Sequence, residues 1–245
     1  MAFFEVTYNR KYRFATLHNF GCSFRCPVCS YKLRSGPNGP PGLSFPRPER
    51  FLSIEEMEKA LRSVSVDKVY FMGGEPTTSK DLQEMLDFAK NDLGIETFLG
   101  HTNGSRLPLP NLDGANVGLK AWDETVHLQY TGRSKKEIYD NFEASVRAGM
   151  RMKANVVLVP GLVGIDQVER VAEWLAKLDP SIPFHIAGYI PVPGQPYRPP
   201  EREEMVAAVE ACRPHLRNVG SSLLTAGQAL DLAARDDRFA VERIA

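Results

Sequence analysis

A chain of 245 residues, 43% hydrophobic and 24% charged, is long enough to bury the core of one barrel or doubly wound sheet and too apolar to be disordered or fibrous. Thirty Lys and Arg balance thirty Asp and Glu, so no global field draws phosphate backbones or anionic lipid to the surface, which argues against nucleic acid as a partner. Every apolar run is interrupted well before the ~18 residues of a membrane helix, and Met1–Asn9 lacks a basic stretch followed by an apolar one. The expectation is a cytoplasmic protein.

Short β-branched or aromatic runs alternate with amphipathic helical patterns in about six βα units, which predicts a parallel sheet. The first strand is expected at Arg13–Leu17. Behind it comes Arg34–Arg50, where eight of seventeen residues are Pro or Gly; this segment is expected to be loop, either a flexible excursion or a lid. Ser53 with Glu56 then forms a capping pair that starts a helix before the strand Lys68–Met72. Leu82, Met85, Leu86 and Ala89 make the buried stripe of the next helix, which Gly94 ends ahead of the strand Glu96–Leu99. Asn116–Leu119 follows as a strand, and Ser134 with Glu137 caps a helix that Gly149 stops. After the strand Ala154–Val159, Asp166 with Glu169 caps a helix whose stripe is Val168, Val171, Ala172 and Leu175. Phe184–Ile190 is the last strand, and a helix over about Glu201–Arg213 follows Pro199 and Pro200. With no repeat, low-complexity tract or linker, one domain over residues 1–245 is expected, its core about 13–197 and its helix and tail 198–245. The fold class is α/β, a partial (β/α)6 barrel of the TIM type with a parallel sheet.

Cys22, Cys26 and Cys29 crowd into eight residues directly after the first strand, in a loop that such a barrel carries at its catalytic face. Three thiolates this close suit three irons of a cubane cluster and leave the fourth iron open for chemistry. The competing reading is a zinc site in a non-catalytic barrel, with His18 or His101 as fourth ligand. Cys212 falls with Met205, Ala208 and Val209 on one helix face and reads as a buried small hydrophobe.

The C-x-x-x-C-x-x-C motif resembles that of the radical S-adenosylmethionine (SAM) superfamily. Phe71-Met-Gly-Gly-Glu-Pro76 resembles the superfamily's G-G-E-P motif, which implies that Gly73, Gly74, Glu75 and Pro76 receive the methionine amine of SAM. Two glycines would let a ligand approach the backbone, and carbonyls or Glu75 could accept from an ammonium. His101-Thr-Asn-Gly104, Val117-Gly-Leu-Lys120, Val157-Leu-Val-Pro-Gly161 and Pro183-Phe-His185 follow the order seen in pyruvate formate-lyase activating enzymes and their relatives. That resemblance, over about Arg13 to Tyr197, implies SAM contacts from Thr102, Asn103 and Lys120; His185 reads either as a ligand residue or as a satisfied core histidine.

There are departures. Val28 stands where an aromatic residue usually packs on adenine, leaving that contact to the Phe24 ring or to backbone, His101 replaces an acid before T-N-G, and Ile190 replaces a histidine. With no cysteines for a second cluster and no room for a cobalamin domain, the reading is minimal superfamily chemistry. A [4Fe–4S] cluster and SAM generate a 5′-deoxyadenosyl radical, which abstracts hydrogen from a small molecule or from a glycyl radical enzyme, with a flavodoxin- or ferredoxin-type reductant as electron donor.

Overall fold

An all-parallel sheet covered on one side by helices needs one continuous apolar face. The computed structural model, which describes residues 3–36 and 47–245, shows where that face comes from. The chain enters as a hairpin, β1 (Phe3–Asn9) antiparallel to β2 (Phe14–Asn19), with Arg13 at φ 50° in its turn. The short helix α1 (Lys32–Ser35) occupies the start of the stretch expected to be all loop, and 37–46 of that stretch, with the candidate lid, lie outside the described residues. Next come α2 (Ile54–Arg62), β3 (Lys68–Gly73), α3 (Leu82–Asp87) continued by a π turn over Phe88–Asp92, and β4 (Glu96–Thr102). The chain proceeds through β5 (Gly114–Gly118), α4 (Glu124–Thr131), α5 (Lys135–Arg147), β6 (Arg151–Leu158), α6 (Ile165–Leu178) and β7 (Phe184–Gly188). It closes with α7 (Arg202–Cys212), β8 (Val219–Ser222), α8 (Ala226–Leu230) and β9 (Glu242–Arg243).

All strands lie in one open sheet ordered β8-β7-β6-β5-β4-β3-β2-β1-β9, parallel from β2 to β8 and antiparallel at β1 and β9. Six of the seven parallel strands are the expected ones with shifted ends, and β8 adds a seventh. The hairpin partner β1 and the edge pieces β8 and β9 extend the sheet beyond those six. Register lines up Leu17, Phe71, Leu99, Ala115 and Met152 across five strands, and all five are buried. The helices lay their own stripes on the core: Leu82, Met85, Leu86 and Ala89 are buried, as are Val168, Val171, Ala172 and Leu175.

Local signals act largely as their chemistry dictates. Ser53 and Glu56 form a reciprocal capping box, and Gly94 and Gly149 take φ of 64° and 78° where their helices stop. One start is displaced: α6 begins after Gly164, and Asp166 curls its carboxylate back over that glycine from the first turn instead of capping. Cys212 is fully buried with Met205 and Ala208 on the inner face of α7.

The opposite sheet face lines a bowl. Thr16, Tyr70, Phe98, Gly114 and Arg151 share one register row across its floor, where Tyr70 stacks on Phe98 at 5.5 Å and the Arg151 guanidinium lies 4.6 Å over the same ring. Residues 223–241 cross from the β8 edge to the β9 edge. Asn9 Nδ2 holds them by donating to the carbonyls of Asp237 (2.7 Å) and Ala240 (3.2 Å).

Leu86 is fully buried at the centre of the core, so Leu86→Ala should cost about 2–5 kcal/mol in denaturant unfolding. Leu128→Ala, at a half-exposed site, should change stability by less than about 0.5 kcal/mol.

Candidate functional site

The turn after β3 rests directly on the turn after β2. Gly74 N donates to the Asn19 carbonyl (3.1 Å) and Glu75 N to the Gly21 carbonyl (2.7 Å), while Asn19 Nδ2 returns bonds to the carbonyls of Glu75 (2.8 Å) and Gly21 (3.1 Å). A side chain has no room here: a Cβ at Gly73 would sit 2.2 Å from the Asn19 carbonyl oxygen, and one at Gly74 would sit 2.1 Å from that of Gly21. The two glycines are therefore required first by this backbone contact, and only then by any ligand. Pro76 is buried and opens a 3₁₀ turn over Pro76–Thr78.

Glu75 is the keystone. Its fully buried carboxylate accepts from Thr77 N (3.1 Å), Thr77 Oγ1 (2.8 Å), Thr102 Oγ1 (2.8 Å) and Asn103 N (2.5 Å). Burial pushes its pKa up and these donors pull it back. With four donors from the chain itself, three on Oε1 and one on Oε2, Glu75 ties the end of β3 to the end of β4. Asn103 then carries the tie to the cysteine loop, donating from Nδ2 to Ser23 Oγ (2.9 Å) and approaching Cys22 Sγ at 3.9 Å.

Cys22, Cys26 and Cys29 lie on the loop after β2, and the Phe24 amide points at Cys22 Sγ (3.4 Å). Burial raises the Cys22 thiol and pushes Cys26 up to about 12, so thiolates there need a cation to hold them. Among the described residues the only three metal-ligating side chains whose donor atoms all lie within 4.8 Å of one another are Glu169, Glu173 and His215, far along the chain. Cys22, Cys26 and Cys29 do not form such a compact set among the described residues. Neither candidate fourth zinc ligand closes such a set with them: His18 Nε2 pairs with Thr7 Oγ1 (2.9 Å), and His101 is turned into the bowl.

Cys26, Cys29, Lys120, Tyr130, Tyr189 and Ile190 are among the residues around a cavity of about 250 Å³. Val28 also lines it, whereas Phe24 is buried edge-on against His127, 6.1 Å between ring centroids, and does not face the cavity. Lys120 lies two residues beyond β5, and its ammonium folds back over Gly118, where a Cβ would sit 2.6 Å from Nζ and 3.4 Å from Asn155 Oδ1. His185 is lower in the bowl, with Nε2 2.9 Å from Ser222 Oγ, and is not among the residues around the cysteine cavity.

Sequence reasoning missed the inner wall. Between Leu99 and Thr102, β4 bulges against Ala115 and Val117 of β5, and the extra residue turns His101 inward. Asn155 Nδ2 donates to Asn116 Oδ1 (2.8 Å), which leaves Asn116 Nδ2 beside His101 Nδ1 (3.4 Å). Only the inward alternation of β5 and β6 could have revealed these asparagines.

The sequence matches the radical SAM superfamily over residues 16–175, and the chain belongs to it. It is 28% identical over 221 residues, 85% of this chain and 80% of the relative, to a Methanocaldococcus jannaschii protein named "Putative glycyl-radical enzyme activating enzyme MJ1632". It is 32% identical over 63% of this chain to GTP 3',8-cyclase of Aeromonas hydrophila, of which it spans 47%. The fold matches that of Streptococcus suis SuiB bound to S-adenosylmethionine with a TM-score of 0.63 at 17% identity, covering 84% of this chain and 48% of SuiB. The chain therefore spans about half the length of the cyclase and of SuiB. Membership makes it an enzyme that uses SAM and an iron–sulfur cluster. No helix among the described residues is long and apolar enough to cross a membrane.

Two outcomes follow from this geometry. Glu75→Ala strips an acceptor from two buried amides and should lower stability by roughly 3–5 kcal/mol in chemical unfolding, a far larger loss than removing an exposed carboxylate such as Glu55. Burial first, then Lys120 and His185, lower the His101 pKa to about 4. An unfolded histidine binds its proton from pH ~6.5 downward, so stability is full above that pH and declines as pH falls towards 4. His101→Asn should flatten this part of the stability profile.

Proposed function

We propose that Cys22, Cys26 and Cys29 each hold one iron of a [4Fe–4S] cluster, and that the cavity beside them binds SAM. The observation that carries this reading is that buried Cys26 and half-buried Cys29, on the loop that also carries Cys22, line one cavity with the Lys120 ammonium. The cluster and SAM supply a 5′-deoxyadenosyl radical by one-electron cleavage of the sulfonium, with methionine as the other product. The chain's own groups do the rest. Lys120 pairs with the SAM carboxylate, and no carboxylate of the described residues lies within 4 Å of its nitrogen. Backbone carbonyls of Gly73 and Gly74 accept from the methionine amine, and Glu75 holds the turn that presents them. Pro76 fixes that turn, and Thr102 and Asn103 hold it against the cysteine loop through Glu75. Val28, Tyr189 and Ile190 take the adenine, and Tyr130 keeps water from the cysteines. His185 faces substrate, not SAM. The electron arrives from a flavodoxin- or ferredoxin-type donor, and residues 1–245 act as one radical SAM domain.

Replacing Cys22, Cys26 or Cys29 with Ala should abolish cluster retention and formation of 5′-deoxyadenosine. Cys212→Ala should keep both and cost only the stability of a small cavity. Full iron content in Cys26→Ala would end the assignment.

The M. jannaschii relative supports a second reading, activation of a glycyl radical enzyme. Electron paramagnetic resonance decides it: incubation with a glycyl-radical partner, SAM and reductant should give a stable glycyl doublet. SAM cleavage stimulated by a metabolite, with no doublet from any such partner of the same cell, would eliminate it.

A further inference from the structure

The wall of the bowl carries more cations and hydrogen-bond donors than the chain itself answers. Below the cofactor end, a cavity of about 380 Å³ is lined by Lys68, Arg151 and Lys153 against one carboxylate, Glu96. Arg151 takes that carboxylate at 2.8 Å. Among the described residues no carboxylate oxygen lies within 4 Å of the Lys68 or Lys153 nitrogen.

Asn116, which lines this cavity, also faces His101 just beyond it. Asn155 fixes the Asn116 amide so that its nitrogen meets His101 Nδ1, and the neutral ring then carries its proton on Nε2 as one more donor. Register places Lys153 directly beside Asn116, one strand spacing from the β5 backbone. Above them Lys120 Nζ and Asn155 Oδ1 both lie beside Gly118. With Lys120 taken by SAM, the groups this wall offers to an occupant are the Lys153 ammonium and the His101 imidazole N–H.

We propose that this wall binds the oxyanion, carboxylate or phosphate, of a small-molecule substrate, with Lys153 and the His101 Nε2–H as its anchors. The inference rests on the radical SAM reading, which makes the bowl the substrate chamber. An inserted polypeptide loop presents donors and acceptors in equal number and no charge. It would cover Lys68 and Lys153 without compensating them, and a covered, uncompensated cation is costly. An oxyanion answers both. The Tyr70 and Phe98 rings beneath give the remainder of a small ligand an apolar floor.

The test is anaerobic equilibrium dialysis of the cluster-loaded protein against radiolabelled citrate, radiolabelled pyrophosphate and a neutral capped glycine-containing hexapeptide. Iron content and SAM affinity are measured on the same samples. At least one oxyanion should bind one to one, and Lys153→Glu and His101→Leu should each weaken it by about tenfold or more. Iron content and SAM affinity should stay at wild-type level in both variants, because neither residue lines the cysteine cavity. Citrate binding alone identifies a carboxylate and pyrophosphate binding alone a phosphate. Failure of both oxyanions, equal oxyanion affinity in Lys153→Glu, or tighter binding of the neutral hexapeptide overturns the inference. Wild-type protein that holds neither iron nor SAM strikes instead at the radical SAM reading, and oxyanion binding is scored independently of it.

Discussion

One buried carboxylate organises the catalytic end of this sheet. Neighbouring parallel strands are held together by backbone bonds along their length, yet their C-terminal turns would splay without a further link. Glu75 supplies it by drawing Thr77, Thr102 and Asn103 onto two oxygens. Charge-assisted bonds of this kind are about twice as strong as neutral ones, and they fix direction as well as distance. Because Asn103 also reaches Ser23 beside Cys22, the position of the cysteine loop depends on a residue that touches no cysteine. The glycine pair before Glu75 belongs to the same device: only a backbone without Cβ lies close enough to Asn19 and Gly21 for the bonds to form.

Much of this was legible in the sequence because it rests on local patterns. Apolar runs between capping pairs pointed to six parallel strands, and the spacing of Cys22, Cys26 and Cys29 marked the loop after β2 as a candidate metal site. What escaped depends on contacts distant in sequence. β1 pairs with β2 through a hairpin whose Phe3–Asn9 run mixes apolar and polar residues and so resembles a tail, and β9 is two charged residues held only by their partner. Glu75 read as a ligand group, and its motif says nothing of the four donors that the chain itself brings to it. Phe24 read as an adenine contact because the cysteine loop does not announce which of its rings faces α4.

The two faces of the sheet also divide the electrostatic work. The helix-covered face is apolar and holds the fold, whereas the bowl keeps a cationic, donor-rich wall between an aromatic floor and the cysteines. A barrel closed by eight strands would fill this interior with side chains. Here residues 223–241 run between the β8 and β9 edges of the sheet, and the sheet is not closed into a barrel.

The bulge in β4 separates two sequence positions that a regular strand would lock together. Thr102 and Asn103 must meet Glu75, and in unbroken alternation the residue before them would be confined to whatever pleat that contact dictates. Counted from Thr102, position 101 faces the bowl, and the additional residue sets Gly100 beside it on the same wall opposite Asn116. Position 101 can therefore be exchanged during evolution, or by design, to suit a new substrate while the cofactor end stays as it is. Deleting Gly100 would restore alternation with His101 alone opposite Asn116 and still facing the chamber, so the inserted residue widens this stretch of wall by one position and leaves the Leu99 and Thr102 contacts where they are.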